Sequence, residues 1–311
     1  RSYLHSARGV NCSPEQIIVG AGSEYLLMLL SQILEGKHVI AMENPTYKQA
    51  YRVFRSLDYE VCPVEMDANG MEPELLTRSG ANVAYVMPSH QFPTGVVMPV
   101  GRRQELLKWA VEVPDRYIIE DDYDSEFRYR GKPIPALQGM DRSGRVIYLG
   151  TFSKCIAPAI RVSYLVLPTH LLLRYRSQTS FYASTVSRID QNILYQFLAG
   201  GYFERHLNRM RAVYKTKHDL LLEQIEPLRE RFEIRGEHAG IHILLTSRQG
   251  ESEEQLIQKA EEAGVKVYGL SSYFIHPQHN HRPATVVLGY ASLSEEQIAE
   301  GIRLLMECWG A

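Results

Sequence analysis

Lys154 is the residue around which a chemistry can be built. It closes the run Tyr148-Leu-Gly-Thr-Phe-Ser-Lys154, with hydroxyls at Thr151 and Ser153, and Arg161 follows seven residues later. A lysine amine condenses with an aldehyde to form an imine, which makes it a covalent handle. Neighbouring hydroxyls and a guanidinium suit a phosphate, the guanidinium in a two-pronged grip. The layout predicts an imine to an aldehyde that also carries a phosphate. Upstream, the stretch Tyr117-Ile-Ile-Glu-Asp-Asp-Tyr-Asp-Ser-Glu-Phe-Arg-Tyr129 sets Glu120, Asp121 and Asp122 at the end of an apolar run. The ring of pyridoxal 5'-phosphate needs an acid at its nitrogen, because a carboxylate there keeps the pyridinium protonated and electron-withdrawing. Such a charge-assisted hydrogen bond is worth about 1.5–3 kcal/mol. Tyr123, two residues past Asp121, is in range of the ring hydroxyl.

Apolar runs must position these groups. Residues 146–149 and 162–167 read as strands around Lys154, and 117–119 as the strand before the acids. Further strands are predicted at 17–19, 38–42, 61–64 and 82–87, with helices at 25–34 and 101–111. Strands alternating with helices at this spacing predict an α/β fold with a mostly parallel, doubly wound sheet. Asp121 and Lys154 then fall just past strand ends, where open α/β sheets bind ligands. Gly20-Ala-Gly22-Ser23-Glu24 precedes a helix, so backbone amides and the helix dipole there can face a phosphate. Gly22, Ser23 and Glu24 join the candidates on that ground.

The rest of the chain reads as scaffold. Arg1 to Gly9 is the tail of a helix ended by glycine, and Ser13-Pro-Glu-Gln16 is a capping pattern. Helices are predicted at 185–198 and 203–226, the second keeping Phe203, Leu207, Met210, Tyr214, Leu221 and Ile225 on one face before Pro227 ends it. Strands near 241–245, 265–268 and 285–289, with helices opening at Ser252-x-x-Gln255 and Ser294-x-x-Gln297, form a small α+β unit. The expected division is a large domain over 1–185, bridging helices over 186–230 and a small domain over 231–311.

These segments resemble the fold type I pyridoxal-phosphate enzymes, the aspartate aminotransferase superfamily. In detail they are most similar to the aminotransferase-like domain of MocR-type regulators of the GntR superfamily. The resemblance rests on residues 119–128 and 148–154, on Pro88-Ser-His-Gln-Phe-Pro-Thr-Gly95, on Ser187-Arg-Ile-Asp-Gln-Asn192 and on residues 203–211. It implies Lys154 as the Schiff-base lysine, Asp121 at the pyridine nitrogen, Tyr123 at the ring hydroxyl, Arg161 at the phosphate and Tyr47 stacked on the ring. It also implies a homodimer with the site near the interface. Complete members carry an N-terminal arm, and the regulators a winged helix-turn-helix, so the chain is expected to be an N-terminally trimmed piece that meets DNA only through such a unit.

Two departures bear on function. Many transaminases have asparagine where Phe92 stands, holding the cofactor hydroxyl. Phe92 cannot do so, and that contact is expected to be lost or to move to a neighbour such as His90. Leu288-Gly-Tyr-Ala-Ser-Leu293 lacks the arginine that many transaminases use for a substrate carboxylate, although Arg282 lies nearby. Both favour a sensing domain that binds an amino-bearing effector, an amino acid or dipeptide, as an external aldimine and turns it over little. γ-Aminobutyrate, taurine, a D-alanine dipeptide or pyridoxal phosphate itself would fit what the resembled family senses, and the sequence does not choose among them. A working aminotransferase is the alternative. A cofactor-free binding domain would leave Lys154, Asp121 and Arg161 as coincidence.

Composition agrees with this reading. The 311 residues are 45% hydrophobic and 23% charged, with a net charge of −2. That is ample for a core, and it lacks the basic excess of a nucleic-acid surface. No signal peptide and no run of 18 apolar residues occur, so a soluble, cytoplasmic protein without a membrane partner is expected. The four cysteines are far apart and read as free thiols. His276, His279 and His281 read as a solvated loop in preference to a metal site.

Overall fold

The computed structural model describes every residue except 35, 37, 129–134, 180, 238, 277–282 and 311. Eight strands form the larger sheet: β1 (Ile17–Gly20), β2 (Val39–Asn44), β3 (Glu60–Asp67), β4 (Gly70–Met71), β5 (Val83–Val86), β6 (Tyr117–Asp122), β7 (Val146–Thr151) and β8 (Ser163–Val166). Their order is β1-β8-β7-β6-β5-β2-β3-β4. The stretch from β3 through β2, β5 and β6 to β7 is parallel, while β8 runs antiparallel to both β7 and β1.

Alternation along the strands explains the two covered faces. Met42, Tyr85, Ile119 and Leu149 pack to one side, under helices Ser23–Leu34, Lys48–Ser56 and Thr169–Gln178. Their neighbours Ala41, Ala84 and Ile118 pack to the other, with Leu106 and Trp109 of helix Val100–Glu112. Both faces being apolar is what a doubly wound sheet requires. The expected fold class is therefore the observed one.

A second sheet of four antiparallel strands has the order β11-β12-β10-β9, with β9 at Phe232–Arg235, β10 at His242–Ser247, β11 at Tyr268–Gly269 and β12 at Thr285–Gly289. Helix Tyr202–Gln224 joins two cores. Phe203 and Leu207 pack with Phe127, Phe152 and Tyr164, whereas Leu221 packs with Phe232, Ile243 and Trp309.

Some expectations change. The Ser13 pattern caps only a three-residue 3-10 turn, Pro14–Gln16, because β1 begins at once. The strand expected near 265–268 is reduced to the two residues of β11, which pair with Val286 and Val287 at the edge of the small sheet. Strand β9 and helix Lys48–Ser56 go beyond the sequence reading, although Ala50, Val53 and Phe54 carry the helical spacing. Asp121 lies inside β6 and not past its end, while Lys154 is three residues beyond β7. Gly9 ends the first helix at φ 67°, the left-handed cap expected of it.

Candidate functional site

Strand β6 sorts three consecutive acids by the period of two. Glu120 and Asp122 point to one face of the sheet and Asp121 to the other. Glu120 accepts the backbone N–H groups of Leu137 at 2.7 Å and Gln138 at 2.8 Å. Asp122 accepts Nε of Arg8 at 2.7 Å and the Tyr148 hydroxyl. Burial alone would push the Asp122 carboxyl up, but the Arg8 guanidinium and the Tyr148 hydroxyl hold it below its ordinary range. Asp121 faces a cavity and, among the described residues, accepts a side-chain hydrogen bond from the Tyr85 hydroxyl alone. Burial pushes its carboxyl up to about 7, with Asp122, Asp124 and Glu24 adding to the rise and Tyr85 opposing it.

Across the same cavity is the turn that carries Lys154. Thr151 ends β7, and its hydroxyl accepts the Ser153 N–H at 3.1 Å and the Ser163 hydroxyl at 2.9 Å. The Phe152 N–H donates to the Val162 carbonyl at 2.9 Å and closes the turn. Lys154 is exposed at its crest, and Ser153 Oγ is buried without a partner. Arg161 adopts the left-handed conformation, φ 47°, and its Nη2 is 2.6 Å from Glu24 Oε2. Gly22 is at φ 94°, a conformation that L side chains rarely adopt, and a Cβ there would also meet that Nη2 unless the guanidinium shifted. Ser23 and Glu24 open helix Ser23–Leu34.

The cavity measures about 260 Å³. It brings together Ser23, Glu24, Tyr47, Asp121, Tyr123, Thr151, Ser153, Lys154 and Arg161, with Gly22 lying directly behind Arg161. Tyr47 meets Phe92 edge-on, with ring centroids 6.1 Å apart. Phe92 also packs edge-on against Tyr123, Tyr273 and His242. The Tyr123 hydroxyl is 3.0 Å from His90 Nδ1, so a partner stands beside it where Phe92 offers none. Arg282, His279 and His281 lie outside the described residues, and His276 is exposed. Among the described residues no cluster of three metal-ligating side chains occurs, and no helix is long and apolar enough to cross a membrane.

These groups fit a phosphorylated pyridine aldehyde on their own chemistry. A buried carboxyl held near 7 is stabilised by a ring N–H cation placed against it. The unpartnered Ser153 hydroxyl, the helix N-terminus and Arg161 converge as anion ligands at the other end. Lys154 lines the same cavity.

Three participants escaped the sequence reading. Tyr85 is opposite Ile119 in the parallel β5–β6 register, which sets it on the face of Asp121; the register carried that signal. Asp124 lies in the acidic stretch but was not distinguished there. His242 enters from β10, distant in sequence, and donates from Nε2 to the Pro93 carbonyl at 2.9 Å. Burial, and then His90, push its imidazole down to about 4, so it is neutral.

The model of the family described as aminotransferase class I and II matches residues 1–305. An uncharacterized HTH-type transcriptional regulator of Bacillus subtilis, YdeL, is 44% identical over 308 residues, covering 99% of this chain and 66% of that protein. The probable rhizopine catabolism regulatory protein MocR of Rhizobium meliloti is 35% identical over 307 residues, covering 97% of this chain and 61% of that protein. This chain thus spans just under two thirds of the regulators it matches. Among solved structures, Pyrococcus horikoshii kynurenine aminotransferase superposes with a TM-score of 0.85 at 29% identity, covering 99% of this chain and 78% of that one.

Proposed function

Because the chain belongs to the aminotransferase class I and II family, we propose that its cavity holds pyridoxal 5'-phosphate and that it serves as the effector-sensing domain of a MocR/GntR-type transcriptional regulator. The observation that carries the cofactor reading is the convergence, in one cavity, of the Lys154 amine, a carboxyl held near 7 at Asp121 and the cationic end at Arg161. When bound, the cofactor supplies an electrophilic aldehyde and an electron-withdrawing ring.

The residues divide the work. Lys154 would supply the amine that holds the aldehyde. Asp121 would take the ring N–H, Tyr123 would serve the ring oxygen, and Tyr47 would pack on the ring face. Arg161, Ser153, Thr151, Ser23 and the amides after Gly22 hold the phosphate, with Glu24 steering the guanidinium. In this reading residues 1–185 form the cofactor-binding domain, 186–230 bridge, and 231–311 form the small domain.

The regulator reading rests on the two relatives above, both regulators, matched over almost the whole of this chain. DNA contact belongs, in this reading, to a helix-turn-helix unit outside these 311 residues, and the protein works in the cytoplasm. The apolar side chains Phe181, Ile189 and Ile193, 75%, 73% and 60% exposed, support a homodimer. An active aminotransferase is the second reading, favoured by the likeness to the kynurenine aminotransferase.

Borohydride reduction of the protein mixed with pyridoxal phosphate, followed by peptide mapping, tests the site. The label is expected on Lys154 and absent from Lys154→Ala. A label on Lys108 in its place would reject the assignment.

A further inference from the structure

His90 stands beside the Tyr123 hydroxyl without lining the cavity itself, and its ring is wedged behind the wall. It is 2% exposed, lies 6.1 Å from the Tyr123 ring and 5.2 Å from His242, and rests on the backbone of Gly240. A Cβ at Gly240, where φ is 77°, would collide with His90 Cε1. A single ring nitrogen, Nδ1, faces two oxygens: Asp124 Oδ2 at 2.8 Å and the Tyr123 hydroxyl at 3.0 Å. The other nitrogen, Nε2, is buried without a partner.

The proton positions follow from these contacts. A carboxylate oxygen only accepts, so the contact with Asp124 puts the proton on Nδ1. Nε2 is then a bare lone pair, the cheaper form for a nitrogen with no partner. With Nδ1–H on Asp124, the imidazole cannot accept the proton of Tyr123. Asp124 itself is a second acceptor within reach of that hydroxyl. The imidazole N–H is held on Oδ2 of that carboxylate at 2.8 Å, and its Oδ1 is buried with no hydrogen bond from Tyr123. The hydroxyl proton is thereby left for an acceptor in the cavity.

The geometry points to His90 as a positioning residue that, with Asp124, aims the Tyr123 hydroxyl proton into the cavity and does the work an amide at position 92 would do. This deepens the cofactor reading and rests on it: the acceptor is the ring oxygen of pyridoxal phosphate. Without His90, Tyr123 turns its proton to Asp124 and the ring oxygen loses a donor.

Pyridoxal phosphate affinity, measured by quenching of protein fluorescence, tests this across wild type and a set of variants. Loss of one hydrogen bond of ordinary worth should weaken binding about fivefold to tenfold in His90→Leu. His90→Asn, whose amide can donate in place of Nδ1–H, should stay within about twofold of wild type on the same scale. Tyr123→Phe should weaken binding as His90→Leu does, and the double variant should be no weaker than Tyr123→Phe. That lack of additivity separates positioning from a general packing role. A His90→Leu loss that recurs in full on the Tyr123→Phe background would overturn the inference, as would a His90→Leu protein that binds like wild type. Thermal melting of each protein without cofactor identifies a variant that has failed to fold, and Asp124→Asn, expected to weaken binding in the same direction, then takes the place of His90→Leu. A wild type that takes up no pyridoxal phosphate would overturn the cofactor reading itself, and this inference with it.

Discussion

Asp121 and Asp122 are adjacent on one strand and their carboxyls answer to opposite environments. Asp122 is buried against Arg8, 2.7 Å away, and is held below its ordinary range. Asp121 is also buried, forms no ion pair among the described residues, and is pushed up to about 7. One is paired with a cation within the fold, and the other is left for a ligand.

Replacing each by asparagine should therefore give opposite results. Asp122→Asn leaves the Arg8 charge buried without its partner, which should cost about 3–5 kcal/mol in urea unfolding. Asp121→Asn should leave the fold intact and weaken pyridoxal phosphate binding. Loss of the fold in Asp121→Asn, with Asp122→Asn unaffected, would reverse the assignment.

The pH dependence of the ligand-free protein has a definite sign. A carboxyl raised from its ordinary value to about 7 binds more protons folded than unfolded between those values. Stability from Asp121 is thus fully present in acid and lost as pH rises towards 7. Glu120, also pushed up to about 7 by burial and by Asp122, acts in the same direction. Asp121→Asn should match wild type near about pH 4 and exceed it near about pH 8 by on the order of 4 kcal/mol. Urea midpoints across that range decide it; a variant less stable than wild type at the alkaline end would contradict the account.

Glu24 holds Arg161 at 2.6 Å but sets a negative charge beside the anion end of the cavity. Glu24→Gln should tighten binding of pyridoxal phosphate several-fold and leave pyridoxal, which has no phosphate, unchanged. The comparison of the two ligands is the measurement. Equal effects on both would remove the phosphate from this end.

An amine panel separates sensing from turnover. Proton transfer at a substrate carbon needs the C–H bond held perpendicular to the ring, and orientation supplies much of such a rate. Among the described residues lining the cavity the only cations are Lys154 and Arg161, and Phe92 supplies no hydrogen bond to the ring. The right amine should change the absorbance spectrum and yield little oxo acid. Sustained turnover with an added oxo-acid acceptor would promote the aminotransferase reading to first place.

Helix Arg188–Ala199 shows Ile189 and Ile193 one turn apart on its exposed side. Ile189→Glu should convert a sedimenting dimer to monomers if a second copy covers this face. A wild type that sediments as a monomer at working concentration would exclude it.

Local pattern determined much of this protein. Apolar runs marked seven of the eight strands of the large sheet, and alternation with helices implied the mostly parallel arrangement. Lys154, Arg161 and the acidic run Glu120 to Asp122 stood out as candidates because their residue types suit an imine, a phosphate and a pyridine, and the structure lines one cavity with Lys154, Arg161 and Asp121. Only tertiary structure decided which acid of Glu120, Asp121 and Asp122 faces the cavity by its contacts, because Arg8, Tyr148 and Tyr85 reach those carboxyls from distant segments. The same holds for His242, carried in by β10, for the Glu24–Arg161 pair, 137 residues apart, and for the His90–Asp124 contact beside Tyr123. A strand's period of two can be read from a few residues; a carboxyl's charge depends on which cations and hydroxyls the folded chain brings against it.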